Sequence, residues 1–371
     1  MARVKLIQNK EDVAPEHYEL FAELAALRGR ISGPSTVILH SPGLARPWNE
    51  ISEYLHRDSI VEARLAELAV AATAREYDGP YVWNAHAGAA RRNGAAAASL
   101  DAVANRTALD GLPEDEALVI RFVRGLLQNN RVDQDVFDAL LAAHDTRWLV
   151  ELACWVGRYG ALSGVLTTFE VDLNPNAEPL PAVKGARGPA RPVLEKPRVP
   201  LITSRDQVEE VALRPRVWMR GPFAILMYSP VLCQRIFDVD LFFRGNSQLS
   251  PAERELAVLA SARIKDCPFV WSRHAGPAAD AGVGEATVHA VRDRVDLPTF
   301  SPAERDVLDY VRGVLVGHVV TQDLFDRLRD AHGVTWLVEL TALIGHYGVI
   351  AAVLNTFEVA PASGAEALPL P

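Results

Sequence analysis

Glu67 with His86, and again Glu255 with His274, are the residues of this chain best suited to move a proton. In each pair the carboxylate precedes the imidazole by the same distance (86 − 67 = 274 − 255 = 19), and a helix break stands between them, Asp78-Gly79-Pro80 in one case and Asp266-Cys267-Pro268 in the other. Two helices folded back across such a break would bring the carboxylate to the imidazole, which makes a workable acid–base couple. The glutamates lie among apolar neighbours, Leu68-Ala69-Val70 and Leu256-Ala257-Val258. Each is therefore either a surface group beside an apolar stripe or a buried carboxyl with a raised pKa. The competing reading of each histidine is a group satisfied within a helix–helix seam.

Other residue types near these pairs could take part. Trp83 and Trp271 precede the histidines by three and so lie beside them on the helix, as a pocket wall or as aromatic core. Tyr159 and Tyr347, on a long last helix, could donate to a ligand. Cys267 falls at a helix N-cap, where the helix dipole favours thiolate. It precedes His274 by seven residues, which puts both on one face roughly 10 Å apart. Its counterpart is Gly79, Cys154 pairs with Ala342, and Cys233 with Ala45, so no thiol is common to both copies. No HExxH, CxxC, P-loop or GxSxG motif is present, nothing has metal-ligand spacing, and no metal or cofactor is expected.

The elements that must position these groups come as a repeat. Pro80-Tyr81-Val82-Trp83-Asn84-Ala85-His86-Ala87-Gly88 returns as Pro268-Phe269-Val270-Trp271-Ser272-Arg273-His274-Ala275-Gly276, an offset of 274 − 86 = 188. The offset holds from Gly33-Pro34 to Phe169-Glu170-Val171. Residues that fold or chemistry requires tend to survive in both copies of such a repeat, and incidental ones do not. Residues 172–200 are rich in proline and read as a semi-extended linker. The domains expected are thus 1–171, the linker 172–200, and 201–371 with a loose C-terminal tail. Apolar spacings of three and four over Val61–Tyr77, Ala117–Leu127 and Trp148–Phe169 predict helices. Asp133 and Thr321 are expected N-caps. No strict alternation stands out, so the expectation is an all-α fold of two tandem helical domains with seven or eight helices in each copy.

Composition bounds the function classes. The 371 residues suffice for two domains, and 49% hydrophobic with 23% charged residues is the balance of a globular protein. A net charge of −9 argues against nucleic acid or an anionic membrane as partner. The first twenty residues hold no apolar signal segment, and no uninterrupted apolar run reaches the roughly 18 residues of a membrane span. Three cysteines cannot form a disulfide framework, and a cytoplasmic location is expected.

The order of a Glu, a helix break, and a helix reading x-x-W-x-x-His-x-x-x-A resembles the carboxymuconolactone decarboxylase and alkyl hydroperoxidase D-like superfamily. The closing stretches WLVELACWVGRYGALSGVLTTFEV and WLVELTALIGHYGVIAAVLNTFEV look like the last helix of its decarboxylase-type members. The resemblance implies an all-α fold, a homo-oligomer (three tandem chains where single-domain relatives form hexamers), and sites near subunit contacts. Its hydroperoxidase branch uses a Glu, a CxxC pair and a His. The Glu falls on Glu67 and Glu255, the His on His86 and His274, the first Cys on Gly79 and Cys267, and the second on Val82 and Val270. Disulfide cycling would have no resolving thiol here. The decarboxylase branch implies a lyase acting on a small acidic or lactone-type metabolite, with the His as proton donor, the Glu setting its protonation state, and Arg75 or Arg263 as candidate binders of an acidic substrate. The alternatives are a Cys267-dependent hydroperoxidase-type enzyme working in the second copy, and a chain in which one or both copies are structural.

Overall fold

The computed structural model of the chain describes residues 2–171, 180, 181, 198, 200, 207, 222–296, 299–361, 364, 368 and 369. Among the described residues there are seventeen α-helices and no strand, so the fold is all-α. The first half carries α1 (Tyr18–Arg28), α2 (Ser35–Ile38), α3 (Pro42–Arg57), α4 (Ala63–Glu76), α5 (Pro80–Arg92), α6 (Ala97–Asn105), α7 (Glu114–Gln128), α8 (Gln134–Ala143) and α9 (Thr146–Thr168). The second carries α10 (Pro222–Leu226), α11 (Pro230–Gly245), α12 (Pro251–Ile264), α13 (Pro268–Asp280), α14 (Glu285–Asp293), α15 (Pro302–Arg312), α16 (Gln322–His332) and α17 (Val334–Thr356). From α3 onward each helix start recurs 188 residues later, as in 251 − 63 and 334 − 146. Most of the expected linker and of the C-terminal tail lies outside the described residues; Leu368, within that tail, is buried.

The break that positions the candidate pairs has the same construction twice. Helix α4 ends at Glu76 with Tyr77 as its C-cap, and Asp78 takes the left-handed conformation at φ 46°; Asp266 does the same after α12. Aspartate tolerates that region better than most residues. The chain then turns back at once because Gly79 N–H donates to Ala74 O (2.8 Å) and Cys267 N–H to Ala262 O (2.9 Å). Pro80 and Pro268 stand at the first position of α5 and α13, where a missing N–H costs nothing. Helices α4 and α5, and α12 and α13, therefore pack as hairpins. Ahead of α12, Ser250 and Glu253 form a capping box that fixes its start.

The two halves share one hydrophobic core. Its centre is the packing of α9 on α17 and of α3 on α11. Gly157 makes the close approach possible: a Cβ there would fall 2.7 Å from Val349 Cα, and one on Gly345 would fall 2.6 Å from Ala161 Cβ. Both α9 and α17 are long and apolar enough to cross a membrane, yet 100% and 89% of their apolar windows are buried inside the protein. Polar bonds cross the same seam reciprocally. Ser229 Oγ donates to Glu151 Oε1 and Ser41 Oγ to Glu339 Oε1, each at 2.8 Å. Arg3 pairs with Glu170 and lies over the Phe325 ring, while Arg198 pairs with Glu358 and lies over Phe137.

Candidate active site

The two hairpins deliver the expected couples. His86 Nδ1 lies 2.7 Å from Glu67 Oε2, and His274 Nδ1 lies 2.7 Å from Glu255 Oε2. A carboxylate at Nδ1 holds the proton there, so Nε2 is the atom left for exchange. Both histidine side chains are 16% exposed, enough to be reached and too little to be freely hydrated. Burial works against the charge on Glu255, but the hydrogen bond and charge of His274, with Arg254, outweigh it and hold this carboxyl below the usual glutamate range. Glu255 is thus a buried group, and its pKa moves opposite to the raised value that desolvation alone would give.

Each histidine opens on a pocket. The first, about 420 Å³, is lined by His86, His56, Ser35, Asn49 and neighbours. The second, about 660 Å³, is lined by His274, Glu255, Tyr347, Arg244, Arg254, Arg273 and neighbours. These volumes suit a small metabolite. Tyr159 and Tyr347, projected from α9 and α17, join the sites. The Tyr347 hydroxyl lies 3.2 Å from His274 Nε2. Burial first, then the nearby charges of Asp240 and Glu255, push the Tyr347 hydroxyl well above its ordinary pKa, so it is a protonated donor. In the first pocket the tyrosine is turned differently: its ring meets His86 edge-on at 4.7 Å, while its hydroxyl lies 2.6 Å from His56 Nε2.

Other sequence-derived candidates lie elsewhere. Trp83 and Trp271 are buried core residues, 2% and 0% exposed, and their indole nitrogens make no hydrogen bond. They do not line the pockets. Arg75 and Arg263 line neither histidine pocket and are not surface groups. They are buried and lock the break between the helices, Arg75 bonding Asp78 and the Ala104 carbonyl and Arg263 bonding Asp266 at 3.2 Å. Cys267 does occupy the N-cap of α13, but its thiol is fully buried and absent from the pocket wall. Burial pushes it up to about 11, against the pull of the Val270 and Phe269 N–H groups and Arg131. Desolvation therefore beats the helix terminus, and Cys267 lacks the reactive character its position suggests.

The pocket residues not singled out from the sequence include His56, Arg244, Arg254 and Asp240. His56 and Arg244 occupy equivalent places (244 − 56 = 188) at the ends of α3 and α11. A search for residues kept in both copies passes over them because they differ. Among the described residues, no group of three or more His, Cys, Asp or Glu side chains could hold a metal ion.

Residues 235–313, from α11 through α15 and containing both Glu255 and His274, match the model of the carboxymuconolactone decarboxylase family. A search of curated proteins finds no match to the chain.

Proposed function

Taking the match of residues 235–313 to the carboxymuconolactone decarboxylase family as premise, we propose that this chain is a lyase that decarboxylates a small acidic or lactone-type metabolite by Glu/His acid–base catalysis. The observation that carries the reading is the 2.7 Å bond from glutamate to His Nδ1 beside a pocket, present in both halves. In the proposed step the bond to the carboxylate carbon breaks, and its electron pair remains on the substrate as a dienolate. CO2 leaves, and an imidazolium Nε2–H returns a proton to carbon. The glutamate holds Nδ1–H and stabilises the imidazolium, as a positioned carboxylate does for a general acid. In the second pocket, arginines beside Glu255 would receive the acidic substrate, and the Tyr347 hydroxyl, 3.2 Å from His274 Nε2, would donate to the charge that develops on the dienolate.

The double substitution His86→Ala with His274→Ala tests this. Release of CO2 from a panel of unsaturated lactone carboxylates should be lost, while helix content and melting temperature stay close to those of the parent. Full turnover by the double variant would sink the assignment. The thiol route has less support, because a buried Cys267 held at about 11 offers neither thiolate nor access.

A further inference from the structure

The two pockets differ where their ligands would be held. At four pairs of equivalent positions the second half carries charge and the first does not: Asp240 against Ser52, Arg244 against His56, Arg254 against Ala66, and Arg273 against Ala85, each 188 apart. In the second pocket Arg254 donates to Glu255 Oε1 and to the Phe243 carbonyl, and Arg244 Nε is fixed by Asp240 at 2.6 Å. These bonds orient the guanidinium groups along the pocket wall. Arg273 is exposed and makes no hydrogen bond or ion pair among the described residues. Phe223, Phe269 and Ile350 add an apolar surface.

The first pocket is built otherwise. His56 and His86 lie nearly parallel, 20° apart in plane and 6.3 Å between ring centres. The Ser35 hydroxyl is bonded to the Asn49 amide oxygen at 2.9 Å. Two arginines line this pocket, Arg57, which is held by Glu53 at 2.6 Å, and Arg30, which lies on the exposed loop after α1. Neither stands at a position equivalent to the three of the second pocket.

We infer that the pockets are specialised: the His274 pocket anchors an organic carboxylate with an apolar body through Arg244, Arg254 and Arg273, and the His86 pocket takes an uncharged ligand against the wall formed by its two imidazoles. This deepens the lyase reading and rests on it for the role of the histidines. The division of ligands is a separate claim about binding. A planar guanidinium offers paired donors that match a carboxylate, and an imidazole does not.

Equilibrium dialysis with benzoate as probe, and benzamide as its uncharged counterpart, separates the outcomes. The full-length chain should bind one benzoate, and the binding should fall about tenfold or more in Arg273→Ala and in Arg244→His, as expected for a lost charge-assisted bond. Benzamide should be insensitive to both substitutions, and Arg30→Ala should leave benzoate binding unchanged. Arg273 is exposed, so its removal does not put folding at stake. Two benzoates per chain, none, a single one indifferent to Arg273 and Arg244, or one lost with Arg30 would each overturn the inference. Repeating the titration on His274→Ala keeps the claims apart. Binding without turnover supports the division while leaving catalysis to its own test, and turnover without benzoate binding removes the division alone.

Discussion

At the scale of single residues, setting decided more than type. Cys267 has the helix terminus that lowers a thiol pKa, yet complete burial raises it to about 11. Thiolate therefore forms only as pH rises toward that value, and the sulfur has no path to a reagent. Native protein at pH 8 should resist iodoacetamide at Cys267, while unfolded protein should be alkylated there within minutes; peptide mass spectrometry reads the difference, and rapid native labelling would contradict the burial. The Glu–His couples were legible because both survive in both copies at one spacing. Arg75 and Arg263 are also common to both copies, but sequence cannot tell a charge kept for a ligand from one kept to lock a turn. His56 and Arg244 escaped for the opposite reason: their chemistry lies in a difference, and the comparison sought sameness.

At the scale of helices, the reading was close. The expected stretches over 61–77, 117–127 and 148–169 correspond to α4, α7 and α9, because apolar spacing and proline are local signals. Asp133 and Thr321 stand at N-caps as expected, although neither side chain accepts a capping bond. What was not legible was the partner of α9. Only the folded chain shows that Gly157 of α9 meets α17. Gly157→Ala would drive a Cβ to 2.7 Å from Val349 Cα, which is backbone and cannot swing aside. Overpacking of this kind costs about 1–3 kcal/mol, and urea unfolding followed by circular dichroism should show that loss. An unchanged midpoint would mean the helices separate more easily than the contact implies.

At the scale of the whole chain, the halves are bound by their cores as well as by chain connection. The face of α9 is covered by α17, and Glu151 accepts from Ser229 across the seam. A fragment of residues 1–171 would expose that face and leave Glu151 one donor short. Exposed apolar surface of this kind drives association, so the fragment should self-associate in sedimentation velocity experiments. A stable, well-folded monomer would show that the seam is dispensable. Long-range packing of this sort has no local sequence signal, since each half reads alike and complete by itself.

The reciprocal seam has one more consequence. When two identical subunits meet around an axis, every substitution is made twice, so a gain in one pocket is tied to whatever it does in the other. Here both pockets lie on one polypeptide and a codon change reaches only one of them. The seam of Ser41 with Glu339 and Ser229 with Glu151 holds the frame in matched form while the pocket walls are free to part company. His56 facing one tyrosine and Arg244 lining the other's pocket is an asymmetry that a symmetric pair of chains has no means to inherit.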